Sequence, residues 1–146
     1  MVERLQRELK EIKAEDLYEL EPDIFAVLTD IYEEKPEEWI AAYLTVSNWF
    51  NTSEGEGVWQ FYELMDKEMF ETAIVFLKSR GKDELVEMME RGNHDYQNPI
   101  YQEDEDLDYP EEWLDESDEI DDWVTDHEDE LFQFEYDLLT EFFYDL

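Results

Sequence analysis

Residues 111 to 144 read EEWLDESDEIDDWVTDHEDELFQFEYDLLTEFFY, and their period decides the fold. Wound as helix, they bring Trp113, Leu114, Ser117, Ile120, Val124, His127, Leu131, Leu138 and Phe142 onto one face, at intervals of mostly three and four. Most of the acids at 115, 116, 118, 119, 121, 122, 126, 128, 129 and 130 then occupy the rest of the circumference. Aromatics turn to a core and carboxylates to water. A helically spaced apolar stripe of this kind is packing surface, with His127 on the helix interface.

The same period runs through the chain upstream, and no stretch alternates with period two over the length of a strand. RLQRELKEIKAEDLYEL places Leu5, Leu9, Ile12, Leu17 and Leu20 on an amphipathic segment broken near Ala14. Pro22 suits the first turn of a second helix, with Ile24, Phe25, Leu28, Ile31 and Tyr32 inward. Pro36 ends that helix and opens PEEWIAAYLTVSNWF, whose stripe is Trp39, Ile40, Tyr43, Leu44, Ser47 and Phe50. NTSEGEG, residues 51–57, reads as a breaker. Helix resumes at Val58, runs through EMFETAIVFLKSRG with Gly81 as C-terminal cap, and ends with KDELVEMMERG closed by Gly92.

The expectation is an all-α fold, a compact bundle of about six to eight helices in one domain, residues 1–146. It comprises a helical block at 1–92, a long acidic loop at 93–110 that carries His94, and acidic C-terminal helices at 111–146. The last segment has too little apolar content to stand as a domain of its own.

Apolar residues at 42% and aromatics at 16% argue for a folded chain rather than a disordered one. The formal charge is −35, from 45 acids and 10 bases, and all the bases lie between Arg4 and Arg91. The C-terminal third is nearly pure anion. Such a surface lacks the Lys and Arg that displace phosphate counterions, and it is repelled by anionic membranes, so direct nucleic-acid and membrane binding are excluded and the expected partner is a basic protein. There is no cysteine for a disulfide or a thiolate metal site. MVERLQRELKEIK has no apolar signal core, and no window approaches a membrane span, which together predict a cytoplasmic protein.

Ordinary surfaces intersperse Lys and Arg among their acids, because like charges at i,i+4 cost a few tenths of a kcal/mol each. This one does not. Duplex DNA carries a charge per ~3.4 Å along each strand, and the acids of the last 55 residues, if helical, average about one per 3.7 Å. A rigid acidic helix can therefore offer a DNA-binding cleft the charge array it is built to hold. The candidate partner-binding residues are Asp104, Asp106, Asp108, Glu111, Glu112, Asp115, Glu116, Asp118, Glu119, Asp121, Asp122, Asp126, Glu128, Asp129 and Glu130, with 115 to 122 the densest part. Glu34, Glu37 and Glu38 extend the array if their helix lies alongside.

GEGVWQFYELMDKEMFETAIVFLKSRGKDELVEMMERG, residues 55–92, resembles the signature of the bacterial DNA mimic protein family. Gly57, Gln60 and Phe61 match the family's glycine turn and the Gln-Phe that follows, as does the approach to Gly81. Gly55 and Glu56 stand where the family has Asn-Gly, and Val58 stands where it has an aromatic. The acidic C-terminal pattern is similar to the family's closing helices, and the likeness covers roughly residues 24–92 and 111–144. It implies an all-helical protein that occupies the DNA-binding surface of a helix-turn-helix regulator and blocks operator binding, with a homodimer as a further implication.

Other readings compete. Asp104, Asp106, Asp108 and Asp115 fall at positions 1, 3, 5 and 12 of an EF-hand-like loop, but Tyr109 replaces its glycine and Asp115 its bidentate Glu. No calcium site or other metal site is expected. HEDEL at 127–131 is not the H-E-x-x-H zinc motif and no phosphate-binding glycine loop exists, so neither an enzyme nor a cofactor is expected. A halophilic surface would spread its acids evenly. An immunity or anti-restriction protein that inhibits a basic nuclease would need the same electrostatics as a regulator mimic.

Overall fold

The computed structural model describes residues 1–104 and 106–146; Glu105, inside the expected acidic loop, lies outside the described residues. The all-α expectation holds: the described residues form helices and no strand. In chain order these are α1 (Val2–Glu11), a 3-10 segment (Ala14–Glu19), α2 (Glu21–Glu34), α3 (Glu38–Glu54), α4 (Trp59–Leu64) and α5 (Lys67–Ser79). Then come α6 (Asp83–Arg91), α7 (Pro99–Glu103), α8 (Glu111–Asp126), α9 (Glu128–Phe142) and a closing 3-10 turn (Phe143–Asp145). Among the described residues no helix is long and apolar enough to cross a membrane.

The bundle is organised around α3. Its expected stripe is buried, but so are Ala41, Ala42, Thr45, Val46 and Trp49 on its other sides. A helix apolar all round must be enclosed, and α2, α4, α5, α8 and α9 enclose it. Aromatic side chains join the layers: Trp49 Nε1 donates to Tyr62 Oη at 3.0 Å, and Tyr62 Oη donates to the Met89 carbonyl at 2.5 Å. Those two bonds tie α3, α4 and α6 at one buried hydroxyl.

Three segments differ from the sequence reading. Helix α3 continues through Asn51, Thr52 and Ser53, because Thr52 bonds back to the Asn48 carbonyl and Ser53 finds a partner on α8; the turn is confined to residues 55–58. Gly57 there has φ +137, which favours glycine. Segment 93–110 is not a continuous loop: Asn98 Oδ1 caps Ile100 N at 3.1 Å, Pro99 supplies the first position of α7, and Tyr96 is buried. This extra helix carries the α-helix count past the six to eight expected. The C-terminal run breaks at His127, whose ring stacks on Trp123 at 4.1 Å.

Gly92 is required for closeness rather than for φ. A Cβ there would lie 2.7 Å from Ile120 Cδ1 and 2.9 Å from the Tyr62 ring, so its lack of a side chain lets α6 end against α8.

One core group runs against the pattern. Glu135 of α9 is fully buried, and neither carboxylate oxygen has a hydrogen-bond donor among the described residues, nor does the buried Tyr43 hydroxyl have a partner. Glu21, itself buried, accepts from the Ser47 hydroxyl at 2.5 Å. Burial first, and then the adjacent Glu21, hold the Glu135 carboxyl well above the usual carboxylate range. Burial beside Glu21 thus favours the neutral form of Glu135, in which the carboxyl carries a donor that a carboxylate lacks.

Candidate acidic recognition face

Helix α8 sorts its side chains by angle, at roughly 100° per residue. Ser117, Ile120 and Val124 point into the core. Opposite them, Glu111, Asp115, Asp118 and Asp122 follow at i, i+4, i+7 and i+11 and form an exposed crest. Over that span the helix rises ~16 Å, so the four carboxylates stand about 5.5 Å apart along the axis. No Lys, Arg or His of the described residues pairs with any of the four.

The two flanks of the crest are occupied by structural bonds. On one flank Asp121 Oδ1 accepts from the Ser53 hydroxyl at 2.7 Å and from Val58 N at 3.0 Å, while Ser117 Oγ accepts from Trp59 N at 3.1 Å. One turn of α8 thus grips the α3–α4 junction, residues 53–59, and supplies acceptors for free N–H groups at the start of α4. Burial raises the Asp121 pKa, those two bonds oppose the rise, and Asp118 and Asp122 add to it. On the other flank Glu116 meets His94 Nε2 at 2.7 Å and Arg91 Nε at 3.4 Å, and Arg91 also pairs with Glu119. His94 stacks on Trp113 at 5.1 Å with ring planes 4° apart, which fixes the 93–97 turn against α8.

The fifteen expected contact residues therefore fall into distinct settings. Asp115, Asp118, Asp122, Glu111, Glu112 and Asp126 are exposed on α8, and Asp129 and Glu130 are exposed at the start of α9 beside half-buried Glu128. Asp104, Asp106 and Asp108 are exposed in the segment before α8, where Asp104 Oδ1 accepts from Asp106 N at 3.0 Å. Glu116, Glu119 and Asp121 already have partners within the chain. Glu34 ends α2 and Glu37 and Glu38 open α3, whereas α8 grips the turn that follows the C-terminus of α3, so the two sets are a helix length of about 25 Å apart. Glu37 is also engaged, by Lys35 at 3.3 Å and by Trp39 Nε1 at 3.0 Å.

Sequence reasoning missed the Ser53–Asp121 and Trp59–Ser117 bonds. The signal was faint: Ser117 and Asp121 stand four apart on α8, and both could reach a neighbouring turn. Arg91 and His94 were also missed as the partners of the Glu116 flank. Among the described residues no group of three or more His, Asp or Glu side chains is placed to hold a metal ion.

The chain matches no family model, and no curated protein or solved structure proves similar to it.

Proposed function

We propose that this protein is a non-enzymatic DNA mimic, which occupies the DNA-binding surface of a basic protein and keeps DNA from it. The observation that carries the reading is the crest of Glu111, Asp115, Asp118 and Asp122, a row of carboxylates that no cation of the described residues pairs with, on a helix whose other three sides are held by packing and hydrogen bonds. Ordered anions matter because a partner does not spend free energy arranging them, and the uncompensated charge speeds encounter. The exposed acids at 104, 106, 108, 126, 129 and 130 lengthen the array at both ends.

The partner in this reading is a helix-turn-helix regulator, the class implied by the likeness of residues 24–92 and 111–144 to DNA mimic proteins. A nuclease inhibited by the same crest is the second reading, favoured by the net charge of −35, which suits fast capture of any strongly cationic enzyme. Both readings place the protein in the cytoplasm, and a homodimer would double the crest.

The test is capture from a lysate of the source cells with the wild-type chain and with an Asp115→Asn, Asp118→Asn, Asp122→Asn variant as parallel baits. The expected result is a basic DNA-binding protein retained by the wild type, lost from the variant and displaced by added duplex DNA. A partner held equally by both baits and indifferent to duplex would refute the reading.

A further inference from the structure

A cleft of about 680 Å³ opens between α4, α5, α6 and the 93–97 turn. Its floor is apolar and firmly packed: Tyr62, Phe70 and Ile74 are nearly fully buried, while Val75 at the mouth is 63% exposed. The rim is acidic, with Glu71, Glu90 and Asp95 against the single Lys67. Of these acids, Glu90 pairs with Lys78, and neither Glu71 nor Asp95 pairs with a cation of the described residues. An apolar floor inside an anionic rim selects a ligand that is greasy at its tip and cationic around it.

The cleft also adjoins the crest. His94 lines it, and the same ring meets Glu116 of α8 at 2.7 Å. Around α8 from that contact, Glu112 and Glu119 come next and then Asp115 and Asp118, so crest and rim are neighbours across a flank where Arg91 pairs with Glu116 and Glu119.

We propose that this cleft is an anchor socket, which takes one leucine-, methionine- or phenylalanine-sized side chain flanked by Lys or Arg on the cationic protein that the crest attracts. The inference rests on the proposed function for the source of the ligand. Steering by the crest would set the encounter rate, and the socket would set the lifetime, since most differences in affinity between related complexes lie in dissociation.

The probes are a short lysine-rich peptide carrying one central leucine and its twin with alanine there, titrated into the full-length protein at low salt with amide chemical shifts followed by NMR. The expected result is about tenfold tighter binding of the leucine peptide, equivalent to about 1.4 kcal/mol, with shifts at Met65, Val75 and Asp95 that the alanine peptide does not produce. A Val75→Trp variant, altered at an exposed position, fills the mouth and removes the leucine advantage while leaving the alanine peptide's binding unchanged. Equal binding of both peptides with shifts confined to α8 would overturn the socket and leave the crest standing. A leucine advantage at the cleft that persists in high salt and in the Asp115→Asn, Asp118→Asn, Asp122→Asn variant would support the socket and sever it from the crest. Failure of both peptides to bind would overturn the socket.

Discussion

Replacing Asp121 separates acids that build the fold from acids that face a partner. The Asp121→Ala change removes an acceptor of two hydrogen bonds, from the Ser53 hydroxyl at 2.7 Å and from Val58 N at 3.0 Å. Bonds to a charged group contribute about 1.5–3 kcal/mol each. Asp121 is half-buried, which favours the low end, and its removal also relieves repulsion from Asp118 and Asp122. The expected net loss is about 2 kcal/mol, or a fall in Tm of roughly 4–8 °C for a domain of this size. Both bonds end on the same oxygen, Oδ1, which asparagine retains. Asp121→Asn should therefore cost less than about 1 kcal/mol. Urea and thermal unfolding followed by circular dichroism measure all three proteins. An alanine variant as stable as the wild type, or an asparagine variant as damaged as the alanine one, would refute this account of the grip on the α3–α4 junction.

Further outcomes follow from the same geometry. Neutralising the crest with Asp115→Asn, Asp118→Asn and Asp122→Asn should leave the fold intact and stabilise it by a few tenths of a kcal/mol per relieved repulsion, read as a small rise in Tm that shrinks in added salt. Glu135 has the opposite sign to most acids. Because its folded pKa is raised, its contribution is complete below the unfolded value of about 4.3 and declines as pH rises toward the folded value. Glu135→Gln should thus gain on the wild type progressively as pH rises, as followed by urea midpoints; a difference constant with pH would contradict a raised carboxyl beside Glu21. Gly92→Ala should cost about 1–3 kcal/mol through overpacking against Ile120 and Tyr62, and a Tm equal to wild type would show that α6 and α8 separate freely.

How far the sequence could be read depended on the range of the interaction. Helices α2, α5, α6 and α8 follow from local periodicity, since spacing of three and four residues is a property of the segment alone. Helix α3 showed its stripe but not its centrality, because Ala41, Ala42 and Thr45 look neutral until five helices are seen around them. NTSEGEG was read by composition, yet Ser53 stays helical because its hydroxyl reaches Asp121, 68 residues away. The acidic face was visible as a density of charge. Its division into crest and flanks was not, because nothing near Asp121, Glu116 or Glu119 in the chain reveals Val58, His94 or Arg91 beside them in space. Glu135 was missed for the same reason: the groups it is coupled to, Glu21 and Tyr43, stand more than 90 positions earlier.

The most direct measurement of mimicry is a competition titration. A captured partner is bound to a labelled duplex, and the protein is added in increasing amounts while the bound fraction is followed by fluorescence anisotropy. The account predicts stoichiometric release of the duplex by the wild type, weaker release as salt rises, and none by the chain neutralised at Asp115, Asp118 and Asp122. A ternary complex that retains the duplex, or release by the neutralised chain equal to that by the wild type, would contradict it.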